Sequence, residues 1–279
     1  GLYVTVAAGL TNMVLDAVFV GLFRWGLAGA AAATALSQLI GGLLPVIYFL
    51  RKNTSLLRLS KPCFDGRALA RICANGSSEV MSNISMSLIS MLYNVQLLKY
   101  AGENGVAAYG VLMYVNLVFL AVFIGFSIGT APVIGYHYGA QNHAELKGIW
   151  KKSLTIIWAF SVCMLLFALL LAKPLARVFV GYDEELMDMT LHAFFIFSFS
   201  FLFAGFAIFG SSFFTALNDG LTSAAISFLR TLVFGVAAIL ILPLILGLDG
   251  IWLSTVVSEV MAVIVTAMFM AGKRKKYNY

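Results

Sequence analysis

The residue best suited to chemistry is an acid in an apolar place. Asp16 stands inside the run from Leu2 to Phe23, which otherwise carries no charge and is long enough to cross a bilayer. A carboxylate at the centre of a bilayer costs about 3 kcal/mol on insertion scales, so such groups usually line a cavity or an ion path. Asn12 precedes it by four residues and shares its helical face. Thr34 and Ser37 stand on the next apolar segment, which must pack back antiparallel after so short a link. A carboxylate, a carboxamide and a hydroxyl facing one another make an oxygen-rich pocket that suits a proton or Na+. The competing reading is a structural hydrogen bond at a helix–helix contact.

Three further sets of polar residues fall in apolar surroundings. Glu79, Asn83, Ser87, Ser90 and Asn94 recur at helical spacing and form one stripe, which in a membrane turns towards protein or water and reads as cavity lining. For Glu79 a solvated helix start is an equal alternative. Arg230 and Glu259 each lie about ten residues into a span, entered from opposite sides, and are expected to meet near mid-depth as an ion pair or a gate. His137, His143 and His192 show no ligand spacing to one another or to a carboxylate, so ordinary polar roles are expected. Cys63, Cys73 and Cys163 are odd in number and lack CxxC spacing, and no metal site or disulfide is expected.

The elements that must hold these residues are apolar helices. The chain is 61% hydrophobic and 11% charged, against roughly 25% charged in soluble domains, which makes it an integral membrane protein. Its fold class is all-α, with about eight spans, near 2–23, 27–50, 78–98, 106–131, 153–172, 189–216, 221–246 and 250–272. The basic segment 51–77 separates a pair of spans (1–50) from a set of six (78–272), and 273–279 is a basic tail. Asp65 to Cys73 reads as a short amphipathic surface helix. The net charge of +6 clusters beside apolar runs, so it signals membrane topology and no nucleic-acid partner. Lysine and arginine concentrate in 51–77, 135–152 and 273–279, whereas the opposite side holds Arg24, Lys99, Lys173 and Arg177. By the positive-inside rule both chain ends face the cytoplasm.

An internal repeat joins the second and last spans. Gly26-Leu27-Ala28-Gly29 followed by Thr34, Ser37 and Gln38 matches Gly247-Leu248-Asp249-Gly250 followed by Thr255, Ser258 and Glu259. Both copies enter from the same side and lie six spans apart in order, the mark of a parallel repeat. On this reading the first repeat lacks four helices at its amino end, and the chain is expected to be the carboxy-terminal portion of a twelve-span protein, an incomplete two-lobe (6+6) architecture. The counterparts of Asn12 and Asp16 are Val233 and Ala237, so only one repeat carries the acid. The string from Gly125 to Asn142 adds two GxxxG pairs, Gly125/Gly129 and Gly135/Gly139, and Pro132, where a kink is expected.

These strings resemble the multidrug and toxic compound extrusion (MATE) transporters. Asn12 to Asp16 with Trp25-Gly26-Leu27-Ala28-Gly29, Thr34 and Gln38 is similar to that family's fifth and sixth helices. Gly135 to Asn142 resembles the loop after its eighth helix, and Gly247 to Leu253 with Glu259 its last helix. The resemblance implies two six-helix lobes, alternating access, and export of organic cations, drugs or other amphiphiles in exchange for H+ or Na+. It implies a first-lobe cation site of Asp16, Asn12 and Thr34, with partners on helices outside this chain. Members with a second-lobe site carry acids where this chain has none, around Met86 and Gly205. No enzyme activity and no cofactor beyond the coupling ion are implied, and a monomer in the cell membrane is expected. A lipid-linked saccharide flippase of the same superfamily, or an inactive membrane fragment, are the alternatives.

Overall fold

A peptide group left unpaired in hydrocarbon costs several kcal/mol, so an apolar chain of this kind satisfies its backbone within helices. The computed structural model describes residues 2–51 and 64–279, apart from the side chains of 74, 75, 77–79, 81 and 82. Two compact units result, Gly1–Asp65 and Gly66–Tyr279. Among the described residues there is no strand. Lys52, Arg58, Lys61 and Cys63, which the sequence reading places in the basic segment, lie outside the described residues.

The first unit is a helical hairpin. Helix α1 (Leu2–Asp16) passes directly into a π-helical turn, Ala17–Leu22, and α2 (Gly26–Leu50) returns. Arg24 and Gly26 take positive φ values of 55° and 56° in the link. A Cβ built on Gly29 would lie 3.1 Å from Phe19, and one on Gly41 would lie 3.3 Å from the Cβ of Ala8. These two contacts fix the antiparallel register. They use the stripe Gly29, Ala33, Ser37, Gly41, whose first three members are buried, the small-residue seam by which membrane helices approach closely.

The second unit is built from α3 (Gly66–Gly139), α4 (His143–Val180), α5 (Glu184–Ser198), α6 (Phe201–Ala216), α7 (Gly220–Ser227), a π-helical stretch Phe228–Phe234, α8 (Gly235–Leu246) and α9 (Leu248–Tyr277). The apolar part of α3, Asn83–Gly139, is 57 residues long. At 1.5 Å per residue it would span about 85 Å, far more than one bilayer. It is two helices, broken at Gly102 (φ 62°, ψ −151°). The rings of Tyr93 and Tyr109, on either side of the break, stack with centroids 4.8 Å apart, which a straight helix could not bring together. α5 and α6 form a second broken crossing, bent by 48°. Six stretches are long and apolar enough to cross a membrane. With the reversal at Gly102 and the bent pair counted, eight crossings follow among the described residues.

Several boundaries differ from the sequence expectation. The helix starting at Gly66 runs on into the third span, so no separate surface helix ends near Cys73. The 135–152 segment is no loop: helices meet across Ala140–Asn142, and Lys147, Lys151 and Lys152 stand on α4. The Asn142 side chain caps α4 by accepting from the Glu145 N–H. α3 stays helical through Pro132, and its non-helical backbone angles fall at Gly102 instead. The basic tail is the last turn of α9, and Tyr277 and Tyr279 are buried.

The repeat extends to three dimensions. Gly247 has φ 60°, like Gly26. Gly250, Ser254 and Ser258 are buried on α9 at the positions of Gly29, Ala33 and Ser37 on α2. Ser37 donates to the Thr34 carbonyl at 2.9 Å and Ser258 to that of Thr255 at 2.8 Å.

Candidate cation site and the intramembrane polar groups

Asp16 closes α1 where the hydrogen-bond ladder widens into the π turn, a local geometry often found at functional sites. Its Oδ1 is shielded from solvent and has no hydrogen-bond partner. Asn12, one turn earlier, is half-buried. In the antiparallel register Asp16 lies level with Ala32 and Ala33. Thr34 is exposed, and Ser37 is the hydroxyl buried on the seam. Neither Asn12 nor Thr34 hydrogen-bonds Asp16 Oδ1, so the structure does not bring the three side chains together there. The π turn that follows carries a cluster of Phe19, Phe23 and Trp25, with centroids 5.1 to 6.2 Å apart. A carboxylate oxygen left without a protein partner in this way offers an acceptor to an incoming cation.

A second intramembrane acid, Glu259, is paired with a cation. Arg230, in the π-helical stretch, donates from Nε to Glu259 Oε1 and Oε2 at 3.1 and 3.0 Å, and from Nη2 to Oε1 at 2.7 Å. The side chains are 17% and 11% exposed. A bidentate fork at this depth satisfies both charges at once. Arg230 corresponds to Gly9 and Glu259 to Gln38 across the repeat. One unit therefore holds a bonded pair where the other holds none, and the other holds a lone acid where this one has Ala237.

The polar stripe of the third span does not close on itself. Asn83, Ser87 and Asn94 are exposed and Ser90 is half-buried; the side chain of Glu79 lies outside the described residues. Ser87 donates to the Asn83 carbonyl and Asn94 to that of Ser90. The buried face of this helix runs through Ser85, Tyr93 and Leu97, adjacent to the stripe. The Tyr93 hydroxyl sits 2.5 Å from both Ser254 Oγ and Thr255 Oγ1, and Ser90 hydrogen-bonds Tyr109.

Two networks escape sequence reasoning. At one end of the unit Asp219 accepts from Lys273 Nζ at 2.6 Å and from the Tyr277 hydroxyl at 2.7 Å, while its Oδ1 caps α7 at the Thr222 N–H. Burial alone would raise this carboxyl, but the bonds from Lys273, Tyr277 and Thr222 outweigh it and hold it at about 2. The second network is a hydroxyl ladder in which Ser211 meets Ser223 and Ser227 at 2.8 and 2.9 Å, and Thr215 meets Ser223 at 2.7 Å. The i,i+4 spacings 211/215 and 223/227 were its only sequence trace. His192 lies 2.8 Å from Asp249 Oδ1, a partner remote in sequence; the pair is exposed, an ordinary polar contact. Cys73 and Cys163 are free thiols, and among the described residues no cluster of metal-ligating side chains occurs.

Comparison with known proteins agrees with this architecture. The chain is 26% identical over 263 residues to the multidrug export protein MepA of Staphylococcus saprophyticus, covering 91% of this chain and 55% of that protein. It is 22% identical over 251 residues to MepA of Staphylococcus aureus, covering 89% and 54%. The chain thus spans about half the length of the curated relatives it matches. A solved structure described as MATE in complex with MaL6 superposes with a TM-score of 0.91 at 24% identity, covering 99% of this chain and 62% of that one. An outward-facing multidrug resistance MATE family transporter of the MOP superfamily gives 0.90 at 24% identity, covering 99% and 62%. These likenesses establish the fold. The MatE family model matches residues 80–241, more than half of the chain, and the chain belongs to the MatE family.

Proposed function

We propose that the protein exports organic cations, drugs or other amphiphilic small molecules across the cell membrane by alternating access, driven by inward movement of H+ or Na+. The observation that carries this reading is the contrast between the two intramembrane acids. Asp16 is shielded and lacks a hydrogen-bond partner at Oδ1, whereas Glu259 is held by Arg230. Of the two, Asp16 is the one that keeps a carboxylate oxygen without a protein partner. Protonation or cation binding at Asp16 removes the negative charge and shifts the balance between two packings of α1 and its π turn. One packing holds substrate and the other releases it outward; loss of the ion to the cytoplasm resets the cycle. Asn12 and Thr34 complete the ion's oxygen shell in the bound state. The export named for the staphylococcal relatives supports the substrate class, and the lysine and arginine bias supports cytoplasmic ends. A flippase for a pyrophosphate-linked lipid would need cations facing its cavity, and Arg230 is committed to Glu259.

The test is efflux of a cationic dye from vesicles carrying the full-length protein, under an imposed proton gradient in one arm and a sodium gradient in the other. One gradient is expected to drive efflux, and Asp16→Asn to abolish it while the protein still inserts. Equal efflux by wild type and Asp16→Asn would overturn the assignment.

A further inference from the structure

A cavity of about 290 Å³ in the second unit is lined by none of the residues assigned above. Its walls include Trp150 and Leu154 of α4, Phe206 of α6, and Val263, Thr266 and Arg274 of α9. That volume lies at the lower end of the range for small-molecule pockets.

Two observations separate it from a packing gap. The Thr266 hydroxyl and the Trp150 indole N–H are both buried and without hydrogen-bond partners, and Thr266 is only 2% exposed. Such groups are nearly always satisfied, and an indole can only donate, so the site lacks an acceptor. The wall is also cationic and holds no acid. Arg274 is exposed, and its Nε donates to the Tyr279 carbonyl. Lys147 and Lys151 are exposed and precede Trp150 and Leu154 by three residues each, on the same face of α4. Glu145, two residues before Lys147, falls on the opposite side.

The geometry points to a binding site for an anionic glycerophospholipid of the surrounding bilayer. Part of an acyl chain lies against Leu154, Phe206 and Val263. The phosphate sits on Arg274, with Lys147 and Lys151 beside it, and the ester oxygens face the indole N–H and the Thr266 hydroxyl. Basic pockets between membrane helices bind acidic head groups in this way. The requirement for an acceptor and a negative charge above an apolar slot favours this occupant over a zwitterionic lipid or a cationic drug.

Native mass spectrometry of the delipidated full-length protein, offered equal phosphatidylglycerol and phosphatidylcholine, tests this. Wild type is expected to retain phosphatidylglycerol at least about fivefold over phosphatidylcholine, the effect of Arg274 alone, the cation in the wall. The triple variant Arg274→Gln, Lys147→Gln, Lys151→Gln is expected to bring the ratio close to one, and Arg274→Lys to keep the preference. Ala267→Phe, which fills the cavity and leaves the cations in place, is expected to lower retention of phosphatidylglycerol. A wild type with no preference, a triple variant with undiminished preference, or undiminished retention by Ala267→Phe would each overturn the site.

Discussion

Replacing Arg230 by Met removes the guanidinium and leaves Glu259 almost enclosed, its side chain 11% exposed. The lost interaction is three hydrogen bonds to two carboxylate oxygens, the longest 3.1 Å. Removing one partner of a buried pair costs about 3–5 kcal/mol, mostly for the charge left behind. Replacing both partners by apolar residues of similar volume is near neutral or stabilising by about 1–4 kcal/mol. Arg230→Met should therefore be strongly destabilising and the double variant Arg230→Met, Glu259→Met close to wild type. For a unit of this size, about 3–5 kcal/mol corresponds to a fall in apparent Tm on the order of 10 °C. Thermal unfolding of the full-length protein in detergent, followed by tryptophan fluorescence, reads both. The reasoning fails if the single variant melts with wild type, or if the double variant is as unstable as the single. The pair is structural on this account, so the double variant should also keep gradient-driven efflux.

Three further outcomes follow from the geometry. Gly102→Ala places a side chain at φ 62°, ψ −151°, a region essentially reserved for glycine, and should lower stability by about 1–3 kcal/mol; a Cβ there meets nothing within 4 Å, so loss of that size in thermal unfolding would come from the backbone alone. Gly250→Ala drives a Cβ into the Leu242 carbonyl and should cost about 1–3 kcal/mol by overpacking, seen as lower yield of monodisperse protein. Asp219, held at about 2 against an ordinary 3.8, contributes stability that is complete above about pH 5 and is lost as pH falls through 2. That contribution is about 2 kcal/mol, and Asp219→Asn should remove the pH dependence of melting in that window.

How far the sequence was legible varies by element. Apolar run length located the crossings, because the bilayer sets that length regardless of context. The gap between the spans 78–98 and 106–131 holds the reversal seen at Gly102, but run length could not locate the bend between α5 and α6, which fall within one apolar run. The repeat was readable because glycine at positive φ and the small stripe on α2 and α9 leave identity-level traces. Arg230 and Glu259 were expected to meet, since two opposite charges in adjacent spans have few other partners. Beyond its own cap at Thr222, Asp219 has partners more than fifty residues away, Lys273 and Tyr277, so nothing local marked those two. Thr34 and Ser37 are three residues apart with similar side chains. Only the seam through Gly29 and Ala33 reveals that Ser37 is the buried one.

The central claim is that Asp16 carries the coupling charge. Its most direct test is substrate accumulation by proteoliposomes of the full-length protein, with the driving ion gradient applied and then collapsed, in wild type and Asp16→Asn. Wild type should concentrate substrate only while the gradient lasts, and Asp16→Asn should at most equilibrate it with or without the gradient. Gradient-dependent accumulation by Asp16→Asn at the wild-type level would contradict the account.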